Sequence, residues 1–461
     1  MAYLVAVIDL GKSNSKVALV DTQAAKEIDV ISQATSQTLT ALYPSLDHEA
    51  TEAFIVDALR KLSLQHTIDA ITVTTHGATV ALIDAAGQLA MPVLDYEYLG
   101  IDELRSEYSK HRPTFSETGS PALPGGLNIG AQLFWQQHHF PKQFSTVNTI
   151  LTWPQYWVFR LTGHLHNDVT SLGCHSDLYA PRHKRYSTLI NKMGWHSLLP
   201  PTRCSGEPSG TLTAEMAQLT NLSESTPVFT GIHDSNASLV PHLKAQRSPF
   251  SVVSTGTWFI AMTMGGRSVE LNESKDSLLN VNAHGECVPS ARFMGGRERE
   301  LLGATNKSCE EGMHRLLTQF DAPPTLLPSV VSGTGPYPEL THRWIGEVLE
   351  DKDNAIRDSA IALYLALMTH ECMKLIGSDG PTFLEGPMAH DSHYAQMLAV
   401  LSKQPVLISA SQTGTSVGAA MLIQSPIESP EYQTVSVDET RSEQLARYAR
   451  QWQDELVHHA M

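Results

Sequence analysis

At 461 residues the chain is longer than one hydrophobic core ordinarily serves, and 42% hydrophobic with 17% charged residues is a globular composition, so two domains are expected. A formal charge of -16 sets the whole-molecule field against polyanions. This excludes a general nucleic-acid or anionic-membrane surface and leaves room for a small anion in a local pocket. The five cysteines (Cys174, Cys204, Cys287, Cys309, Cys372) are odd in number and form no C-x-x-C pair, which argues for reduced thiols in a cytoplasm and against a disulfide framework or thiolate zinc site.

The first apolar stretch is interrupted at Asp9 and lacks a basic leader, so neither a signal peptide nor an anchor is expected. No later run approaches the roughly 20 apolar residues of a spanning helix. In chain order, "YLVAVID", "KVALVD", "AITVTT" and "VALIDA" read as strands, as do "FSVVSTGTWFIAMTM", "PTFLEGP" and "QPVLIS" far downstream. The helical patterns between them are "TEAFIVDALRKLS", "TWPQYWVFRLTG" and "SAIALYLALMTHECMKLIG", and the alternation predicts an α/β architecture. In the aromatic helix Thr152 stands as N-cap, Pro154 lies in the first turn where a missing amide costs least, and Gly163 is the stop.

A weak repeat organises the chain. Residues 5–20 and 250–264 both read as apolar strand, turn of small hydroxyl and Gly residues, apolar strand. Two domains of related design facing a common cleft are expected, 1–240 and 241–461, with "PHLKAQRSPF" as the crossing segment.

The first of these turns offers backbone amides and hydroxyls from Gly11, Lys12 and Ser13 to phosphate oxygens, while Asp9 stands ready to hold water on a divalent cation. Alone, an ordinary β-turn is the better explanation; the second turn at Thr255, Gly256 and Thr257, together with an acid, favours the phosphate reading. In "TPVFTGIHDSNASL" a strand ends at Gly231 and is followed by His233, Asp234 and small residues. Asp234 is a candidate general base, or else the N-cap of a helix beginning at Ser235. His390 and His393 with Asp391, like His138 and His139, lack a third ligand nearby and read as solvated helix ends, so no zinc is assigned.

Taken together, these segments resemble the FGGY carbohydrate kinases, within the group that shares the ATPase fold of hexokinase, actin and Hsp70. "DLGKSNSKVALVD" looks like the family's first phosphate hairpin, with Lys16 its basic residue. "TTHGATVALIDAAGQLAMPVLDYE" is similar to its substrate segment, and "LTWPQYWVFRLTGHLHNDVTSLGCHSDLYAP" to its aromatic helix and Asp-x-Thr-Ser run. "PVFTGIHDSNAS" resembles the segment with the catalytic aspartate, "STGTW" the second phosphate turn, and "FLEGPMAHDSHYAQMLAVLSKQPV" with "TGTSVGAA" the adenosine side. The matches run in order from residue 7 to 420.

The resemblance implies two ribonuclease-H-like domains, actin/hexokinase-type, around a central nucleotide and sugar cleft, and an ATP-dependent kinase for a ketose or deoxyketose. ATP would meet Gly11, Lys12, Ser13, Lys16, Thr255, Gly256, Thr257, Gly386 and Pro387, magnesium would lie near Asp9, partly through water, and Asp234 would be the base. Sugar candidates are His76, Gly77, Asp95, Tyr96, Glu97, His175, Asp177 and His233, planar polar and aromatic groups of the kind that hold sugars. Three departures from the commonest pattern stand out: Lys12 in place of a small hydroxyl residue, Glu385-Gly386-Pro387 in place of Gly-Gly, and the forms "TTHGA" and "LDYEY". The Lys12 hairpin and "GTW" lean to the rhamnulose and fuculose side of the family. A homodimer is compatible with the resemblance. The competing expectations are an ATPase that drives partner binding and a non-catalytic sugar or nucleotide sensor.

Overall fold

A computed structural model describes residues 3–304, 308–346, 354–409, 414–425 and 431–460. Thr413, in the "TGTSVGAA" segment, lies outside the described residues. The chain forms two compact units. The first is Met1–Ala245 with Leu279–Cys287 and Thr413–Ser429; the second is Gln246–Leu278, Val288–Gln412 and Pro430–Met461. These units differ from the expected contiguous halves at two places, where later segments return to the first unit. The reason is packing: the amide of Leu279 donates to Gly119 O, and the helix Thr415–Met421 lies on the first sheet.

The first unit is built on β1 (Leu4–Leu10), β2 (Asn14–Asp21), β3 (Lys26–Ala34), β4 (Ala70–Thr75), β5 (Pro208–Thr211), β6 (Pro227–Phe229) and β7 (Ile232–His233). They form one seven-stranded sheet, ordered β5-β6-β4-β1-β2-β3, with β7 also paired to β4. β1, β2 and β3 are an antiparallel meander; β4 runs parallel to β1, and β6 and β7 run parallel to β4.

The strand β1 is apolar except at Asp9 because both its faces are covered, which is why it reads as a run and not an alternation. Ala6, Ile8 and Leu10 join a core with the helices His48–Ser63 and Trp153–Thr162, through Phe54, Leu59, Trp157 and Leu161. Val5 and Val7 face the other way, onto Ala237, Val240, Val417 and Ala420. Asp9 shares the parity of Val5 and Val7, so the alternation of the strand aims it toward the helix Thr415–Met421. The aromatic helix starts at Trp153 and ends on left-handed Gly163, φ 76. Thr152 stands at its N-cap position without capping it: the hydroxyl turns to Gln155 Oε1 and, at 3.1 Å, to Asn167 Oδ1.

A second seven-stranded sheet repeats the plan. Its strands are β8 (Phe250–Thr255), β9 (Phe259–Met264), β10 (Ser277–Val281), β11 (Cys287–Phe293), β12 (Thr382–Glu385), β13 (Val406–Ser409) and β14 (Tyr432–Thr434), all in the second unit apart from Leu279–Val281 of β10 and Cys287 of β11. The order is β10-β11-β9-β8-β12-β13-β14, with β8 antiparallel to β9, β9 antiparallel to β11, and β8 and β12 and then β12 and β13 parallel. Three antiparallel strands followed by two parallel strands thus occur once in each unit. No described helix is long and apolar enough to cross a membrane.

Candidate functional site

Three neighbouring parallel strands of the first unit end side by side, and each ends on chemistry. The register pairs Asp9 with Thr74, Leu10 with Thr75, and His233 with Thr75. Asp9, His76 and Asp234 therefore emerge at the carboxyl edge of the sheet, the usual place for a ligand in a parallel α/β arrangement.

The turn between β1 and β2 is closed by Gly11 N donating to Asn14 O at 3.0 Å. That spends the Gly11 amide, while the amides of Lys12 and Ser13 have no acceptor among the described residues. Two adjacent unpaired N–H groups are what an anion needs. Asp9, buried, accepts from Ser416 Oγ at 3.2 Å, and Lys16 Nζ lies 3.6 Å away while bonding Glu27 Oε1 at 2.8 Å. Burial pushes the Asp9 carboxyl up, Lys16 pulls it down, and the neighbouring Asp234 raises it again. Ser416 stands 407 residues from Asp9 and was invisible to motif reading.

Asp234 opens the short helix Asp234–Ala237, with His233 at the N-cap position. Its Oδ1 accepts from the amide and hydroxyl of Ser235 and lies 3.2 Å from His233 Nε2, while Oδ2 has no partner among the described residues. The expected alternative, Asp234 as the cap of a helix starting at Ser235, is corrected: the carboxylate reaches only the next residue. The side chain keeps 31% exposure. Burial raises its carboxyl and His76 lowers it. His233 Nδ1 faces Asn236 Nδ2 at 3.1 Å, which leaves Nε2 as the protonated nitrogen toward Asp234; burial pulls this histidine down to about 4.

His76 is buried and held neutral, its basicity lowered by burial. Its Nδ1 donates to Gly77 O at 3.0 Å, so Nε2, unpartnered among the described residues, is an acceptor. The ring of Tyr96 lies against it, centroids 5.4 Å apart. Burial, then Glu97 and Asp95, push the Tyr96 hydroxyl up to about 12, so it stays a donor. Lys12, expected at a phosphate, turns instead to this group: it pairs with Asp95 Oδ1, lies 3.4 Å from Glu97 Oε2, and sits 4.7 Å above the Tyr96 ring. The carboxylates attract it more strongly than an open turn does.

Two sugar candidates are not brought to this edge. Asp177 is fully buried, accepting from Tyr108 OH at 2.8 Å and Arg112 Nε at 3.0 Å, so it pins a loop and cannot meet a substrate. His175 donates to Leu127 O at 2.7 Å, one residue from Gly126, whose amide bonds Tyr96 O; it touches the site at one remove. His393, expected to be solvated, is 3% exposed and tied to Ser308 and Glu310, because Asp391 caps its helix and turns it inward. His138 and His139 are exposed.

In the second unit the β8–β9 turn repeats the first. Gly256 N donates to Trp258 O at 3.0 Å, and the amides of Thr257 and Trp258 have no acceptor among the described residues. Thr255 Oγ1 ties this turn to the end of β12, donating to Glu385 O at 2.6 Å and accepting from Met388 N at 3.1 Å. Between them Gly386 has φ 84 and ψ -173, and a Cβ there would overlap the Thr255 carbonyl. Only glycine fits this backbone, whether or not a second glycine follows. A cavity of about 230 Å³ opens beside it, lined by Thr255, Gly256, Thr257, Pro387, Arg297 and Arg299. The two arginines escaped the sequence reading; "MGGRERE", paired glycines before a charged helix, is the signal that marks them.

A duplicated sheet of three antiparallel and two parallel strands, with a glycine hairpin turn and an acid at the strand ends, defines the actin/hexokinase class of ATPase fold. The chain belongs to the FGGY family of carbohydrate kinases. The family model for its N-terminal domain matches residues 4–241, and the model for a carbohydrate kinase FGGY C-terminal domain matches 247–431. The chain is 27% identical over 274 residues to the L-fuculokinase of Salmonella typhi, covering 57% of each. It is 27% identical over 240 residues to that of Escherichia coli (strain K12), spanning 48% of it, so the chain spans about half the length of these curated relatives. Along its whole length it resembles the crystal structure of a carbohydrate kinase from Novosphingobium aromaticivorans, with 33% identity, 100% of both chains covered and a TM-score of 0.91. A ligand-bound xylulose kinase from Lactobacillus acidophilus shares the fold at 13% identity, TM-score 0.78, covering 99% of this chain and 97% of that one. The family and fold expected from the motifs hold.

Proposed function

We propose that this protein is an ATP-dependent kinase that transfers the γ-phosphoryl group to a hydroxyl of a ketose or deoxyketose, with Asp234 as general base. The observation that carries the reading is the unpartnered Oδ2 of Asp234 beside the acceptor nitrogen of neutral His76, at the ends of adjacent parallel strands. A carboxylate so placed can take the proton of a hydroxyl as it attacks phosphorus.

Asp9 fits a magnesium ion. It is a buried oxygen donor next to the turn whose amides are unpaired among the described residues, which suits an ion held by one carboxylate, phosphates and water. Bound there, magnesium would neutralise phosphate charge. The chain's own contribution is positioning. The amides of Lys12 and Ser13 would donate to phosphate oxygens, with Gly11 shaping the turn and Lys16 offsetting Asp9. On the nucleotide side, Thr255, Gly256, Thr257, Gly386 and Pro387 line or shape the cavity of the second unit. His233 holds Asp234 from behind, and His76, Asp95 and Tyr96 face the sugar.

ADP release with Mg-ATP, measured across ketoses, deoxyketoses and polyols beside a no-sugar control, tests this directly. A sugar that raises turnover well above the control supports it, and a flat response overturns it. The pH profile is a second test. Protonated Asp234 cannot serve as the base, and burial raises its carboxyl, so kcat/KM should rise with pH above the ordinary carboxylate range. Burial lowers both His76 and His233, so neither accounts for a rise in rate above neutrality. A rise with pH that persists unchanged in the residual activity of Asp234→Asn would refute Asp234 as the base.

A further inference from the structure

We infer that Lys12 is a specificity-determining residue on the sugar side, where it holds Asp95 and Tyr96 as part of an acceptor-rich grip that takes neutral polyhydroxyl substrates and rejects sugar acids. This rests on the kinase reading above and names the substrate class of the same site.

Lys12 lies in the turn whose amides point to phosphate, yet its ammonium leaves that turn. It is 15% exposed and committed to Asp95, Glu97 and the face of Tyr96. Asp95 is fixed independently: its amide donates to Pro44 O at 3.0 Å, and its Oδ1 accepts from Glu97 N at 3.0 Å. Were Lys12 to swing to a phosphate, Asp95, only 5% exposed, would be left as an unpaired buried charge. Removing one partner of such a pair is costly, so the lysine stays.

The polar atoms left without partners among the described residues are Asp95 Oδ2, Asp234 Oδ2, His76 Nε2 and the Tyr96 hydroxyl. Three of the four accept only. Sugar hydroxyls donate to such atoms. A substrate carboxylate can only accept, and it would meet Asp95, Glu97 and Asp234 with the nearby ammonium already paired, so like charges oppose it.

The test compares wild type, Lys12→Met and Lys12→Arg in the full chain, with the best neutral sugar of the panel and with gluconate. Wild type should prefer the neutral sugar by at least about 100-fold in kcat/KM. Lys12→Met should raise the KM for sugar about 10- to 100-fold while leaving the KM for ATP within about threefold, and Lys12→Arg should restore part of the loss. Asp95→Asn, which keeps the shape of the grip, should move the sugar KM in the same direction. A Lys12→Met enzyme with an altered KM for ATP and an unchanged KM for sugar overturns the inference, as does gluconate turned over as well as the neutral sugar. If wild type turns over no sugar, the kinase reading fails, and calorimetric titration of the same sugars without ATP decides the inference alone: binding weakened in Lys12→Met supports it, binding unchanged overturns it.

Discussion

Asp234→Asn is expected to lower kcat by about 10²- to 10⁴-fold, the usual worth of a positioned general base, with the Kd for sugar changed by less than about threefold. The substitution keeps the side-chain shape and the hydrogen bonds that Oδ1 accepts from Ser235, so the short helix should hold. What disappears is the unpartnered oxygen able to take a proton. The amide also relieves the mutual charge between Asp234 and Asp9, so a small gain in thermal stability should accompany the lost rate. Rapid-quench measurement of sugar phosphate, beside calorimetric sugar titration, separates the two quantities. Sugar binding lost together with turnover, in a folded variant, would make Asp234 a binding residue instead.

The second large effect is structural. Gly418, in the helix Thr415–Met421, packs so closely on the helix bearing Asp234 that a Cβ would overlap the Ala237 carbonyl and lie 3.4 Å from Pro241 Cδ. Backbone cannot rotate away as a side chain can. Gly418→Ala is expected to destabilise the protein by about 1–3 kcal/mol, the range for overpacking. It should also reduce kcat, because the same helix bonds Asp9 through Ser416 and buttresses Asp234 through Ala237. Thermal denaturation and steady-state rates on one preparation check both. An unchanged melting temperature would show that the two helices separate without cost.

The fold was legible where local sequence determines local structure. Both hairpins could be read because their strands are apolar over consecutive residues and their turns contain glycine, and Gly163 stops the aromatic helix as expected. The candidate site was legible only as far as its strand ends, where the runs that lead to Asp9, His76 and Asp234 stop. What local sequence left out depended on distant partners: the Lys12 ammonium is claimed by Asp95 across 83 positions, and Asp177 by Arg112 across 65. Before those partners are known, a lysine in a phosphate-like turn and an acid in a polar loop look like ligand groups, since chemistry at a position is set by whichever charge reaches it first in space.

The return of Thr415–Met421 to the first unit has a consequence for the order in which the molecule is made. During synthesis the first sheet emerges from the ribosome early, yet the segment that bonds Asp9 and supports the Asp234 helix comes last among its parts. Nascent chains shorter than this segment carry Asp9, Lys16 and Asp234 with part of one apolar face of the sheet uncovered, the part that Val417, Ala419, Ala420 and Met421 close, which makes them targets for chaperones and proteases. The buried setting of Asp9 would then be complete only once Thr415–Met421 has been made.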